Sequence, residues 1–366
     1  MVKENASAPT RSIDSRVLLI RRAGPHSGEC ESREASGTLR CWYVLLPPKL
    51  WTAYSSYVVV YRSPSEAPHK FDYIVCAHKA INPSAIPPIF QSVADSNTTF
   101  VIMQNGVGNE DPFRSTYSQN TIISGVVWIG ATQTSPGLIK HMQAENTEIG
   151  LFSNPGSDPK QEESRLENFA SIMQQGGTNI SVEENVQVKR WEKVVWNAAW
   201  NTIGEFVQVN SSQNARADNF AVRLTPAAVF PERDRNSLPL SRSISEMYHM
   251  LTKIQQTTLT FVDTQTWLAS PEAMEMTKRL MLEVISVGQR CGVPLKNELV
   301  DVLMTRILSL PGIFSSMYVD AKEGRNLEID VILGFPMKKA KEFGMDVPTL
   351  ATLYALLKAV DGRLGV

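Results

Sequence analysis

The chain changes its grammar part-way along, and that change constrains its fold more than any single motif. Between Val17 and Val186 short β-branched runs alternate with helical patterns; beyond about Val186 the helical patterns take over. Strands that alternate with helices build a mostly parallel sheet covered by helices, because parallel neighbours need a long crossover. A run of helices alone builds a bundle. The expected architecture is therefore α/β and then all-α: an α/β N-terminal domain over residues 1–184 and a helical C-terminal domain over residues 185–366, with the boundary near Glu183 to Val186. At 366 residues the chain is long enough for two such units.

Within the first half, VLLI (Val17 to Ile20), DYIVCA (Asp72 to Ala77), FVIMQ (Phe100 to Gln104) and IISGVVWIGA (Ile122 to Ala131) read as strands, with PSAIPPIFQSVA as a connecting helix. LIKHM and EIGLF flank an acidic stretch, PKQEESRLENFASIMQQGG is an amphipathic helix with a glycine end, and NISVE is a last strand. In the second half helices are expected over Val186 to Ile203, Ser270 to Gly292, Asn297 to Leu308, Ser315 to Lys322, Leu327 to Phe343 and Leu350 to Leu364. Ser270 followed by Pro271 is an N-cap and first-turn pair.

Two stretches break the pattern. Arg21 to Pro68 has the proline and polar scatter of irregular structure where the α/β pattern should be most regular. Gly204 to Phe261, with Pro226, Pro231 and Pro239, is a long weakly patterned insertion in the helical half, placed at about 204–262.

Composition removes several functions. Thirty-six basic residues against 37 acidic ones give a net charge of -1, so there is no global basic field for nucleic acid or anionic lipid. Cys30, Cys41, Cys76 and Cys291 are scattered and read as reduced thiols. With no apolar run of the length a bilayer requires and a polar N-terminus, the expectation is a cytoplasmic protein with neither membrane nor nucleic-acid partner. The five histidines show no metal-ligand spacing, and GxSxG and Walker motifs are missing, so neither metal, hydrolase nor P-loop chemistry has an anchor.

The most informative element is RWEKVVWNAAWN, residues 190 to 201. At roughly 100° per residue, Lys193, Asn197 and Asn201 fall on one helix face, and Trp191, Val194, Val195, Ala198 and Ala199 take the core side. The stripe of one ammonium and two carboxamides is either an inward polar cleft or a solvated face with a lone lysine. Asparagines are poor helix formers with little to gain at an exposed face, which favours the cleft. A protonated lysine there could donate to an alkoxide forming on a ketone, with the amides fixing a hydroxyl or carboxylate.

Three further places carry chemistry. MQNGVGNE follows a strand, so Asn105, Gly106 and Gly108 either admit a ligand close to the backbone or form an ordinary tight turn. Glu328 precedes a helix, where a carboxylate is favoured as a cap. Lys79, after DYIVCAH, is a surface lysine or a phosphate or ribose contact.

Taken together, DYIVCAHKA, IMQNGVGNE, SGVVWIGA, RWEKVVWNAAWN, SSMYVDAKEGRNLEID and GMDVPTLATLYALLKAVD resemble the ketopantoate reductases, the 2-dehydropantoate 2-reductases. The resemblance covers Phe71 to Ile203 and Asp263 to Leu364, in the family's order. It implies a Rossmann-like N-terminal domain and a helical C-terminal domain, with a cleft between them that binds NADPH and a small 2-keto acid, in an enzyme that reduces 2-dehydropantoate to pantoate and could be a homodimer. By the same resemblance Lys193 is the general acid and Glu328 the acid that meets both lysine and cofactor. Asn105 would touch cofactor and substrate; Asn197, Asn201 and Ser316 would hold the substrate; Lys79 and Ala131 would line the cofactor.

The chain departs from that family at its opening. VLLI is followed by RRAGPHSGE, which supplies only Gly24 and Gly28 and places Pro25 where a GxGxxG loop would offer N–H donors, so the first βα unit is degraded. Arg62 is a candidate for a 2′-phosphate contact. Both irregular stretches have abrupt edges, as a shifted reading frame or retained intervening sequence would produce. Two alternatives therefore stand beside the ketopantoate reading: a reductase of the same architecture acting on another carbonyl compound, and a non-catalytic relative.

Overall fold

The computed structural model describes residues 17–20, 61, 63–135, 138–141, 146–201, 263–312 and 315–362. Gly24, Pro25, Gly28, Arg62 and the insertion at 204–262 lie outside the described residues, as does the suggestion that those stretches arise from altered reading frame.

Six strands form one mixed sheet in the order β1-β2-β3-β4-β7-β8: β1 Val17–Ile20, β2 Tyr73–Cys76, β3 Thr99–Ile102, β4 Ile122–Trp128, β7 Asn146–Leu151 and β8 Ile180–Val182. β2, β3 and β4 run parallel, whereas β7 is antiparallel to β4 and parallel to β8. Between β4 and β7 the chain makes a separate hairpin, β5 Ala131–Ser135 with β6 Leu138–His141. The edge strand β1 pairs with β2 antiparallel, with Val17 opposite Cys76 and Ile20 opposite Tyr73. A Rossmann first strand would run parallel to its neighbour, so the antiparallel β1 agrees with the expectation of a degraded first βα unit.

Alternate residues of the central strands serve opposite faces, as the period of two requires. Ile74, Cys76, Phe100, Ile102 and Ile122 pack with Phe90 and Phe113 on one side. On the other, Tyr73, Val75, Val101, Ile123 and Ile149 meet Leu166, Phe169 and Ala170 of helix α2, Pro159–Gln175. The segment read as a connecting helix, PSAIPPIFQSVA, is instead two 3₁₀ turns, Pro83–Ala85 and Pro87–Phe90. Three prolines remove the donors a longer helix would need. A short helix that periodicity did not reveal, α1 Glu110–Thr116, starts directly beyond the NG turn.

Helix α3, Val186–Asn201, opens the helical half and buries Trp191, Val194, Val195, Ala198 and Ala199. They join one continuous core with α5 Pro271–Arg290, α6 Leu299–Leu308 and α9 Pro348–Asp361, and Ala80 and Val107 from the sheet half belong to the same cluster. Side-chain caps set the starts. Asp263 accepts from Gln265 and Thr266 at α4 Thr264–Leu268, Ser270 from Ala273 at α5, and Ser315 from Tyr318 at α7 Ser316–Lys322. The single helix expected over Leu327 to Phe343 is a π-turn, Asp330–Gly334, running into α8 Phe335–Glu342, and α9 starts two residues earlier than expected because Pro348 can occupy a first turn.

Candidate active site

The carboxyl ends of β2 and β3 face the helical half, and the NG turn makes the joint. Val107 donates its N–H to the Val331 carbonyl of the π-turn at 3.0 Å. Gly106 and Gly108 have φ of +93° and +78°, and a Cβ on Gly106 would stand 2.5 Å from the Val331 side chain. Both the backbone conformation and the close approach exclude a side chain. The turn is thus a docking point between sheet and helices, and it projects Asn105 at the seam.

Glu328 crosses that seam. It is 2% exposed, and its Oε1 accepts the Ala80 N–H at 3.0 Å while Oε2 accepts from Asn105 Nδ2 at 3.4 Å. It therefore caps no helix of its own; it binds the residues that follow β2 and β3. Lys79 Nζ lies 3.6 Å from Glu328 Oε2 and 2.5 Å from Asp320 Oδ2, and Arg325 Nη2 holds the other Asp320 oxygen at 2.8 Å. Desolvation alone would lower the Lys79 pKa, but the Glu328 and Asp320 carboxylates outweigh it and hold the ammonium charged. Asp320 and Arg325 were not singled out by sequence; in SSMYVDAKEGR they look like the polar face of an exposed helix.

Lys193 is half-buried on α3 and donates to the Val127 carbonyl at the end of β4, with its Nζ 5.5 Å from the Trp128 ring centroid. Burial, reinforced by the nearby Arg190 charge and opposed by Glu328 and Glu148, lowers its pKa to about 8. No ion pair joins Lys193 to Glu328 among the described residues. The acid implied to meet the lysine meets Lys79 instead, and it acts on Lys193 only through its field. One and two turns along the same face, Asn197 and Asn201 are 7% and 5% exposed. Among the described residues Asn197 Nδ2 is buried without a hydrogen-bond partner, which leaves a donor for a ligand.

The other residues lie further from this group. Ser315, not Ser316, is the cap of α7, and the exposed Ser316 hydroxyl has no hydrogen-bond partner among the described residues. Ala131 opens the β5–β6 hairpin and is exposed, opposite His141.

Beneath the site runs an ion pair that sequence reasoning passed over. Arg190, 2% exposed, pairs with Glu110 at 2.7 Å, donates to Ser124 Oγ, and reaches the carbonyls of Gln104 at 3.0 Å, Gly106 at 2.7 Å and Ile102 at 2.6 Å. A lone Arg in RWEK carries no signal of this kind, because every one of its partners is distant in sequence. Among the described residues no group of three His, Cys, Asp or Glu side chains could hold a metal.

Two family models match: "Ketopantoate reductase PanE/ApbA" over residues 46–154 and "Ketopantoate reductase PanE/ApbA C terminal" over residues 248–361. The chain belongs to the ketopantoate reductase family. Its members are NADP-dependent oxidoreductases that interconvert C=O and CH–OH groups. The chain is similar to the 2-dehydropantoate 2-reductase of Nostoc sp., with 22% identity over 294 residues, 80% of this chain and 75% of the relative. In fold it resembles the dimeric ketopantoate reductase of Staphylococcus aureus, with a TM-score of 0.58, 21% identity and coverage of 84% and 83% of the two chains. It is equally like D-mandelate dehydrogenase with NADH and anilino(oxo)acetate, with a TM-score of 0.60, 19% identity and coverage of 83% and 80%.

A dinucleotide fits the residues present at the nicotinamide end. The parallel strands β2 and β3 direct Lys79 and Asn105 outward from their carboxyl ends, where open α/β sheets take ligands. There a carboxylate, a carboxamide and a partly accessible ammonium meet, a set of donors and acceptors that suits ribose hydroxyls.

Proposed function

We propose that this chain is an NADPH-dependent reductase of a 2-keto acid, with 2-dehydropantoate as substrate, and that Lys193 is its general acid. The observation that carries the reading is the helix face on which a half-buried ammonium precedes two buried carboxamides, one of them with an unpaired donor. The cofactor, when bound, supplies a hydride to the carbonyl carbon. Lys193 gives its proton to the carbonyl oxygen, becomes a neutral amine, and recovers a proton from solvent. A pKa of about 8 suits both the donation and the recovery, since the ammonium predominates at neutral pH yet releases its proton readily.

Asn197 donates to the substrate through its free Nδ2, with Asn201 one turn on, and Ser316 offers an uncommitted hydroxyl. Asn105, fixed by Glu328, sits between substrate and cofactor, while Lys79 and Ala131 lie on the cofactor side. In this reading residues 1–184 bind the nucleotide, residues 185–366 the keto acid, and the enzyme acts as a cytoplasmic homodimer. The dimeric Staphylococcus aureus relative supports the oligomeric state, which sedimentation equilibrium tests. Among the described residues no helix is long and apolar enough to cross a membrane.

The deciding experiment is titration of the purified protein with NADPH, followed by its absorbance on adding 2-dehydropantoate. Loss of absorbance supports the proposal. Binding of NADPH without turnover overturns the substrate, and no binding points to a non-catalytic relative. A second reading has one observation in its favour: Trp128, Trp196 and Trp200 form an edge-to-face series beside Lys193, a wall suited to a 2-keto acid with a flat, bulky side chain. Turnover of an aryl 2-keto acid in preference to 2-dehydropantoate would establish it.

A further inference from the structure

The tryptophans beside Lys193 hold a second cation. Trp128 ends β4 and Trp196 lies on α3, with ring centroids 6.1 Å apart and planes at 75°. Arg306 of α6 places its Cζ 4.6 Å from the Trp128 centroid and 5.0 Å from that of Trp196. Lys193 Nζ lies 5.5 Å from the same Trp128 centroid, so two cations from two helices share one indole.

Arg306 differs from the other arginines near the sheet. Arg114, Arg165 and Arg190 donate to protein carbonyls, and Arg325 to Asp320. Arg306 is exposed, and among the described residues its guanidinium has neither a carboxylate within ion-pair distance nor a hydrogen-bond acceptor. Glu148 does not serve it: that carboxylate accepts from Trp128 Nε1 at 3.1 Å and stands 3.9 Å from Lys189. The indoles fix the guanidinium while its N–H edge stays unspent. A planar fork of donors fixed in this way matches a carboxylate in two-point contact.

We infer that Arg306, held between Trp128 and Trp196, receives the carboxylate of the substrate whose carbonyl oxygen lies at Lys193. The inference rests on the reductase reading and adds to it the residue that selects an anionic acid over its neutral ester. In a 2-keto acid the carboxylate is bonded directly to the carbonyl carbon, so its receptor must stand beside the proton donor. Lys193 Nζ and Arg306 Cζ lie 5.5 Å and 4.6 Å from the Trp128 ring centroid, which puts the two cations around one side chain. Arg306 is then a specificity residue, and the two tryptophans set its orientation.

The test is equilibrium binding by calorimetry, in the presence of NADP⁺, of 2-oxoisovalerate and of its methyl ester, which lacks the charge. With Arg306→Leu the dissociation constant of the acid should rise roughly ten- to a hundredfold, as expected for losing a charge-assisted hydrogen bond, while the ester's changes little. Arg306→Lys should restore part of the loss, since it keeps the charge without the fork. Thermal melting of each variant verifies that the fold is intact. An unchanged constant for the acid, an equal loss for acid and ester, or failure of the wild-type protein to bind the acid would each overturn the assignment. Binding that follows this pattern with no turnover by the wild-type protein would leave Arg306 in place and overturn the reductase reading alone.

Discussion

Arg190 donates to the Gly106 carbonyl at 2.7 Å, so the helix that carries Lys193 also holds the turn that carries Asn105. The same guanidinium takes the Gln104 carbonyl on the other side of Asn105 and lies against Glu110. A single buried charge thus fixes the spacing between the proposed proton donor and the residue placed between substrate and cofactor. Its burial lowers the Arg190 pKa and the Glu110 carboxylate opposes that, a balance in which the pair depends on both partners.

Arg190→Met should therefore destabilise the protein by about 3–5 kcal/mol, because Glu110 is left buried without its partner. The double variant Arg190→Met/Glu110→Leu should be less destabilised than the single one. Urea unfolding measures both, and a double variant no more stable than the single would refute the coupling.

Lys193→Met should lower kcat by roughly 10²- to 10⁴-fold while leaving the Kd for NADPH within about a factor of two. Stopped-flow reduction alongside fluorescence titration of NADPH separates the two. Equal losses in both would show that the lysine holds cofactor rather than protonating substrate.

The acid form of Lys193 is lost as pH rises through about 8. Burial comes first among the causes, with the Arg190 charge adding to it. Reduction of the keto acid should accordingly decline on the alkaline side of that value, and oxidation of the hydroxy acid, which needs the neutral amine, should rise there. Initial rates in the two directions across the alkaline range check the sign.

Asn197 shows a conflict between stability and binding. Its buried Nδ2 has no partner among the described residues, so Asn197→Leu should stabilise the ligand-free fold by about 1 kcal/mol. The KM for the keto acid should rise at least tenfold, about the worth of a hydrogen bond. Calorimetric melting and steady-state kinetics on one preparation test both halves, and a lowered Tm would mean that the carboxamide serves the fold.

Gly106→Ala should cost roughly 2 kcal/mol or more, because a Cβ at φ +93° is strained and also meets Val331. Val331→Ala in the same chain should recover only part of the loss, since the dihedral strain persists. Chemical denaturation of the pair measures the remainder.

Much of this fold could be read from local pattern. The alternation of strands and helices up to Val186, the apolar face of α3 and the Ser270 cap all depend on neighbours within a turn or a strand. Proline accounts for what was misread: the donors missing at Pro83, Pro87 and Pro88 turn an apparent helix into 3₁₀ turns. The antiparallel pairing of β1 could not be read, because a four-residue apolar run has no direction until it finds its neighbour.

The candidate site divides in the same way. Lys193, Asn197 and Asn201 announce themselves by helical spacing, and Asn105 by its place after a strand. Glu328 looks like a helix cap in sequence and is a seam between halves in three dimensions; Asp320, Arg190 and Arg306 look like ordinary surface charges. What the sequence determined alone is which residues share a helix face or end a strand, since those relations are set by the 3.6- and 2-residue periods of the backbone. Tertiary structure alone decided the partners: that Glu328 serves Lys79 and Asn105, that Arg190 clamps the turn around Asn105, and that Lys193 and Arg306 share Trp128. Charge and hydrogen-bond pairing depend on distances across the fold, and no spacing along the chain encodes them.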